Sequence, residues 1–254
     1  MKMFLLMILW IFAPVLTPYG LQVGEVKINN KTVKIMKKII LSPEWLQAAG
    51  NKLSVEVITM RFDGIAYVRF AEGSNCIAKY TKDGVDQSMQ IQTFDTTIDA
   101  DAGTDIIFEG TITGIIGTAK NGEFEKLSSI SFYKCKSFTN FELAVEGSLP
   151  LTRLDFTGAP NLSEIEDNGN LRNVTYLDIS ECVQLTNSWS IRYMRTLTEI
   201  RAIAVHSGLA VDIAKAIESA ISTDGVVYLR RGDEYNQTII DAALNKGWDW
   251  QYAD

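Results

Sequence analysis

The chain has little of the material on which metal, nucleophilic or disulfide chemistry depends. Its 254 residues include one histidine and three cysteines. No Cys-x-x-Cys, His-Glu-x-x-His, Walker or Gly-x-Ser-x-Gly pattern occurs. We therefore expect no metal site, no cofactor and no catalytic residue, and a protein that is not an enzyme.

Positive charge is also in short supply. The sequence has 24 Lys and Arg against 31 Asp and Glu, which gives a formal net charge of −7. An acidic chain gains nothing from neutralising phosphates and is repelled by anionic lipid. We expect no nucleic-acid partner, and membrane contact only through residues 3–24, if at all. The apolar content of 46% is ordinary for a globular protein.

Residues 3–24 carry no charge, and their most apolar part, Phe4–Ala13, follows Lys2. A positive start followed by an apolar run is typical of a secretory signal peptide. No small-x-small cleavage site follows, however, and the next segment, up to residue 38, holds five lysines and one glutamate. Positive charge on that flank favours cytoplasmic retention. Three interpretations stay open: a signal peptide, a retained apolar tail, or a translation start at Met36.

Residues 39–100 predict a small antiparallel β domain. Ser42-Pro43 can begin a short helix that ends at Gly50. The runs Leu53–Phe62 and Ile65–Ala71 flank Asp63-Gly64, a dipeptide that favours a two-residue hairpin turn. Two further turns, the second at Lys82-Asp83-Gly84, complete a four-strand meander with strands near Cys76–Tyr80 and Met89–Phe94.

Residues 101–205 contain repeats. Four segments share the frame L-x-x-L-x-[FI]-x-x-[CA]-x-x-L and begin at Leu127, Leu151, Val174 and Leu197, at intervals of 24, 23 and 23 residues. A weaker copy begins 24 residues upstream, at Gly103. Apolar residues at positions 4 and 6 alternate with polar ones, so each copy predicts one short strand with a buried face. Stacked copies would join these faces into one core.

The frame and its length resemble a leucine-rich repeat. More narrowly, LDFTGAPNLSEI and LDISECVQLTNS resemble the BspA-type class, which is common in surface proteins of gut anaerobes and in their phages. The resemblance implies a solenoid of parallel strands. Adhesins of this class carry many copies, so four clear copies favour a module within something larger.

The last segment, 206–254, predicts two helices and two strands. The helices are expected over Leu209–Ile221 and Tyr235–Leu244, and the strands over Gly225–Leu229 and Trp248–Tyr252. This βαβ-like unit resembles the end unit of the same family and is expected to cap the open edge of the stack. The predicted fold class is α+β: residues 1–38 form an apolar leader and basic linker, followed by the β domain, the repeats and the C-terminal cap.

Three residues share one inward position of successive copies: Cys135, Ala159 and Cys182. The two cysteines are two strands apart, about 10 Å at the usual strand spacing. A disulfide needs Cα atoms within about 7 Å. We therefore predict free, buried thiols.

The outward positions of the repeat strands are the candidate binding site, because parallel strands align them into columns on one face. The candidates are Tyr133, Arg153, Asp155, Tyr176, Asp178, Glu199 and Arg201. Asp155 beside Asp178 would place like charges about 5 Å apart, which needs compensation from Arg153, Arg201 or a bound cation. Tyrosines supply rigid, amphipathic contact surface.

Two short motifs have structural interpretations. Arg231-Gly232-Asp233 is expected to be a strand-to-helix turn, with Gly232 at the bend and Asp233 capping the helix. His206, without an acid and nucleophile partner set, is expected to be a structural hydrogen-bonding residue.

These patterns predict a non-enzymatic binding or assembly module. It would present the repeat face to a protein or glycan within a larger homo- or hetero-oligomeric assembly, as a structural protein of a phage virion (a tail or head appendage). An exported adhesion protein of the bacterial cell surface is the alternative in the same class. An alternative of another class is a carbohydrate hydrolase, which would need a cleft with two facing carboxylates.

Overall fold

A computed structural model of the chain describes residues 22–28, 31–38, 55–91, 95–118, 124–144, 148–167 and 171–253. The chain divides into two compact units, Met1–Ser54 and Val55–Asp254. The apolar segment before Gln22 and the expected helix at residues 42–50 lie outside the described residues. Within the described part of the chain, no helix is both long and apolar enough to span a bilayer.

The first unit contains an antiparallel strand pair, β1 (Gln22–Ile28) and β2 (Lys31–Lys38). Val26 lies opposite Val33, and Ile28 lies opposite Lys31. The lysine-rich segment that the sequence suggested as a linker is thus largely extended and paired.

The second unit holds fifteen strands and two α-helices among its described residues. The strands are β3 (Val57–Phe62), β4 (Ala66–Val68), β5 (Asn75–Lys82), β6 (Val85–Ile91), β7 (Thr96–Ile98), β8 (Asp105–Thr111), β9 (Gly114–Thr118), β10 (Leu127–Tyr133), β11 (Asn140–Ala144), β12 (Arg153–Asp155), β13 (Glu164–Asp167), β14 (Tyr176–Asp178), β15 (Glu199–Ala202), β16 (Val226–Leu229) and β17 (Asp249–Tyr252). The helices are α1 (Ala210–Ser219) and α2 (Asn236–Lys246).

Ten strands form one mixed sheet in the order β17-β16-β15-β14-β12-β10-β3-β8-β5-β6. Strands β10 to β17 pair in parallel, and β3, β8, β5 and β6 pair antiparallel. A parallel three-stranded sheet, β9-β11-β13, and a small antiparallel pair, β4-β7, complete the unit. The architecture is therefore mixed α/β. The segments predicted as separate domains after residue 39 contribute strands to one sheet, and their division into domains stays a prediction.

Equivalent positions of the four clear repeat copies lie side by side in the parallel strands. Ile130 pairs with Leu154, Leu154 with Leu177, and Leu177 with Ile200. All four side chains are at most 1% exposed. The core continues to the three-stranded sheet, where Phe141 meets the ring of Phe156 edge-on.

Two rows of hydroxyl groups cross the parallel strands. Thr152, Thr175 and Thr198, at position 2 of their copies, each donate a side-chain hydrogen bond to the carbonyl of the equivalent residue in the preceding copy, at 3.2–3.3 Å. Thr139 and Ser163 do the same in a second row beside the three-stranded sheet. Hydroxyls that bond to neighbouring carbonyls hold adjacent copies at a fixed spacing.

The C-terminal segment follows the prediction closely. Helices α1 and α2 and strands β16 and β17 all fall within the expected ranges or within two residues of them. Gly247 ends α2 with a φ of +85°, the left-handed conformation that suits glycine after a helix. The segment adds two parallel strands to the sheet, so that β17 itself is the edge.

The antiparallel half differs from the prediction. The hairpin expected at Asp63-Gly64 is wrong: β3 does not pair with β4 but lies between β10 and β8. The alternate residues Ile58, Met60 and Phe62 of β3 are at most 2% exposed, and a central position buries such a strand better than a lone hairpin would. The turn at Asp83-Gly84 is confirmed, since both residues have positive φ and join β5 to β6.

The weak copy at Gly103 stacks only in part. Its first strand, β8, is antiparallel to β3 and β5 and does not join the parallel strands. Its second strand, β9, pairs in parallel with β11, and Thr113 accepts the first bond of the second hydroxyl row. The copy therefore contributes one strand to the antiparallel half of the large sheet and one to the parallel three-stranded sheet.

Candidate binding face

The register of β12, β14 and β15 builds two polar columns on one face of the large sheet. Arg153, Tyr176 and Glu199 lie opposite one another in the first, and Asp155, Asp178 and Arg201 in the second. The alignment of these six positions is confirmed. Their role in binding stays a prediction.

The seventh candidate, Tyr133, is separate from this group. It lies at the end of β10, opposite Val57 of β3, and its ring centroid is 5.2 Å from Lys134 Nζ.

Arginine side chains lie across tyrosine rings of the next strand. The guanidinium of Arg153 is 3.6 Å from the ring centroid of Tyr176, and that of Arg201 is 4.5 Å from that of Tyr228. Each guanidinium also donates to a carboxylate on its own strand, Arg153 to Asp155 at 3.1 Å and Arg201 to Glu199 at 2.9 Å. These contacts hold each guanidinium group against a tyrosine ring and so restrict the conformations of the long arginine side chain.

Tyr228 belongs to this face and was missed by the sequence reasoning. It lies opposite Arg201, and Gln251 of β17 lies opposite Tyr228. The helix α1 between β15 and β16 lengthens the interval to 27 residues, which breaks the regular repeat. The interval from Tyr228 to Gln251 returns to 23 residues, and that return was the available signal.

The two aspartates hold the turns that follow their strands. Asp155 Oδ1 accepts hydrogen bonds from the Thr157 hydroxyl at 2.7 Å and from the Thr157 amide at 3.3 Å. Asp178 Oδ1 accepts from the Ser180 amide at 2.9 Å, and its Oδ2 accepts from the Tyr176 hydroxyl at 3.2 Å. Asp178 is only 6% exposed, so the expectation that it is an exposed contact residue is wrong.

Arg153, one of the two arginines expected to compensate the negative charges of Asp155 and Asp178, does so. Arg153 is ion-paired with Asp155, whereas Arg201 pairs with Glu199. Within the described residues, no group of three or more candidate ligands is placed to hold a metal ion.

The carboxylates also act on Tyr176. Its partial burial, together with the negative charges of Asp178 and Asp155, raises the pKa of this tyrosine to about 12. The hydroxyl is therefore protonated at neutral pH and donates to Asp178. The face presents guanidinium donors, ring surface and carboxylate acceptors in fixed positions, which suits recognition of a polar surface.

The polar face continues across the antiparallel half. Arg61 lies opposite Ser129 of β10 and Asp105 of β8, and Arg61 Nε donates to Asp105 at 2.9 Å. Lys79 donates to Glu109 at 2.5 Å. Sequence reasoning missed these residues because pairing between distant segments brings them together.

The two remaining motifs, at His206 and at Arg231-Gly232-Asp233, make local hydrogen bonds and turns. His206 Nδ1 accepts a hydrogen bond from the Gly208 amide at 3.1 Å, as expected of a structural residue. Gly232 has a φ of +91°, which confirms the bend. Asp233 does not cap α2 with its side chain, because its carboxylate accepts from the Tyr235 hydroxyl at 2.7 Å.

The thiol prediction is confirmed: Cys135 and Cys182 are free and buried, and so is Cys76. Burial raises the pKa of all three thiols. These cysteines behave as small apolar core residues.

No known protein family, curated protein or solved structure matches the chain.

Proposed function

We propose that this chain is a non-catalytic binding and assembly module built on a short stack of leucine-rich-repeat type. The 23–24-residue spacing of β10, β12, β14 and β15, their parallel register and the two hydroxyl rows support the repeat interpretation. In this proposal, the polar face of β12 to β16 contacts a protein or glycan.

The pair of arginine–tyrosine stacks carries the proposal. An arginine held flat on a ring, with N–H groups left for a ligand, loses little side-chain entropy on binding. Arginine and tyrosine are also enriched among the residues that dominate binding energy. The face has two such stacks on four neighbouring strands, Arg153–Tyr176 and Arg201–Tyr228.

The proposed setting is a phage virion appendage, with an exported bacterial surface protein as the alternative. Support comes from the resemblance of the repeats and from their small number. An antibody against the chain, applied to virion and envelope fractions of its source, would separate the two settings.

The hydrolase alternative has less support. Asp155 and Asp178 are neighbours on the face, but each accepts the amide hydrogen of its own turn. Such carboxylates are occupied by structural bonds, whereas a catalytic pair must face the substrate.

The test is capture of the labelled full-length chain on an array of bacterial surface polysaccharides and on isolated bacterial envelopes. The double variant Arg153→Ala/Arg201→Ala should lower capture by about tenfold or more. Lys215→Ala, an exposed substitution on α1, removes a positive charge away from the face and should bind as the parent chain does. Asp178 is left unchanged because its buried hydrogen bonds are structural.

Two results would contradict the proposal. One is the absence of capture by every polysaccharide and envelope tested. The other is equal loss of capture in the face variant and in Lys215→Ala, because a general charge effect would explain it. Unchanged melting temperatures must accompany either comparison.

A further inference from the structure

Strand β17 leaves one side of its backbone without a partner strand among the residues that the structure describes. It is the last strand of the ten and pairs only with β16. The amides of Asp249 and Ala253 donate to Gly225 and Leu229 on the β16 side. In a parallel pair, alternate residues point the other way, so the amide and carbonyl groups of Trp250 and Tyr252 face outward.

The side chain of Trp250 shows that the apolar core is partly exposed to solvent at this edge. It continues the inward column of Ile130, Leu154, Leu177, Ile200 and Val227. Those five side chains are at most 1% exposed, whereas Trp250 is 36% exposed. Its ring leans edge-on against Tyr252, at 5.2 Å between centroids.

The opposite edge of the sheet is different. Strand β6 exposes Asp86, Gln87, Ser88 and Gln90, and the polar character of these residues discourages pairing with another strand. Strand β17 has one charged residue, Asp249 at its first position, and no lysine, proline or bulge in its regular register. Natural proteins protect free edges with such features, and an aromatic edge without them is suited to pairing.

We infer that the β17 edge pairs antiparallel with β17 of a second copy of this chain, about a two-fold axis at Gln251. In that register, Trp250 lies opposite Tyr252 of the second copy, with main-chain hydrogen bonds between them. Gln251 lies opposite its own equivalent, and Asp249 lies opposite Ala253 of the second copy. No like charges are opposed, and the exposed tryptophan gains an aromatic cross-strand partner.

The contact requires no ligand and goes beyond the proposed binding function. It would join two ten-stranded sheets into one and place the two polar faces side by side. Because four-residue strands bury less area than a standard interface, we expect weak association, with a dissociation constant of about 10–100 μM.

Gln251→Cys in the full chain tests the register. The two Gln251 positions would form a non-hydrogen-bonded pair with Cα atoms about 4.5 Å apart, within the range that a disulfide spans. Mild oxidation should therefore give a reducible covalent dimer. The native thiols do not compete because they are at most 2% exposed. Gln87→Cys, on the β6 edge, is the matched control and should stay monomeric.

Charge exchange at the same position provides a second test by sedimentation velocity. Gln251→Lys alone and Gln251→Glu alone should each associate at least about fivefold more weakly than the parent, since like charges face each other. An equimolar mixture of the two should recover or exceed the parent's association.

Three outcomes would overturn the inference. They are a parent chain that stays monomeric at about 500 μM, a dimer unaffected by Gln251→Lys, and cross-linking of Gln87→Cys as readily as of Gln251→Cys. Either of the last two would place the contact elsewhere on the molecule.

Discussion

The two halves of the large sheet arrange charge differently. In the parallel half, two ion pairs each join residues two apart on one strand; in the antiparallel half, two ion pairs each join different strands. The parallel pairs are Arg153–Asp155 and Arg201–Glu199, and the antiparallel pairs are Arg61–Asp105 and Lys79–Glu109.

The difference follows from the pairing. A repeat places equivalent positions of successive copies next to each other, so Asp155 faces Asp178 whatever their charges. Antiparallel strands from unrelated segments can oppose unlike charges directly, as Arg61 and Asp105 do. In the parallel half, the cross-strand contacts of the arginines are therefore with tyrosine rings, and these stacks form the candidate face.

The largest expected effect compares a core phenylalanine in each half. Phe156 stacks on Phe132 at 5.0 Å, and Phe108 meets Phe70 edge-on at 5.1 Å. Phe156→Ala and Phe108→Ala should each lower the free energy of unfolding by about 3–5 kcal/mol. Hydrogen exchange should distinguish the two variants, because each parallel strand pairs only with the strands beside it. Phe156→Ala should accelerate exchange mainly in β10, β12 and β14.

Phe108→Ala should instead accelerate exchange throughout β3, β5 and β8, which hold together segments far apart in the chain. Lys215→Ala, exposed on α1, is the stability control. If both phenylalanine variants accelerated exchange equally everywhere, the two halves would unfold as one unit and the comparison would fail.

The next effect concerns the buried thiols, two in the parallel half and one, Cys76, in the antiparallel half. Each folded thiol keeps its proton well above the ordinary cysteine pKa of about 8.5, whereas the unfolded thiol ionises there. The unfolded state then binds fewer protons, so the free energy of unfolding falls as pH rises. The slope is up to about 1.4 kcal/mol per pH unit for each thiol.

The slope is measured by urea unfolding between about pH 8.5 and pH 10, in the presence of a reductant. This pH range ends at the ordinary pKa of tyrosine, so ionisation of tyrosines contributes little to the slope. Cys135→Ala/Cys182→Ala should remove about two thirds of the thiol contribution, and Cys76→Ala about one third. The variants and the parent chain are compared by the slope of the free energy of unfolding against pH, because the alanine substitutions also change the absolute stability. A slope that none of the variants alters would show that the thiols ionise in the folded protein.

The same division explains what the sequence could predict. The spacing of Leu127, Leu151, Val174 and Leu197 was sufficient for the register of the parallel half, because each copy pairs with its neighbour in the chain. The columns, the buried thiols and both C-terminal helices followed from that spacing and from local periodicity. Periodicity is a local signal, and these are local structures.

Pairing between distant segments could not be predicted in this way. Nothing near Asp63-Gly64 indicates that β3 pairs with β10, more than sixty residues later in the chain. A hairpin signal describes only the turn. Here the pairing of β3 with a strand on each side outweighed that signal. The burial of Asp178 was also missed, because it depends on the turn at Ser180 that its own carboxylate holds.

The smallest expected effect tests the two kinds of cross-strand contact directly, by double-mutant cycles. In the antiparallel half, the cycle of Arg61→Ala with Asp105→Ala should give a coupling of about 0.2–1 kcal/mol, because both side chains are exposed. In the parallel half, the cycle of Arg153→Ala with Tyr176→Leu should give a coupling of similar size from the stacked ring.

Salt should distinguish the two. At about 1 M ionic strength, the Debye length falls to about 3 Å, so the exposed Arg61–Asp105 coupling should be largely lost. The Arg153–Tyr176 coupling should mostly persist, because dispersion and ring contact do not depend on net charge on the partner. Equal loss of both couplings would mean that Arg153 is held by Asp155 alone, and that the flat arginine on which the candidate face depends is not fixed by the tyrosine.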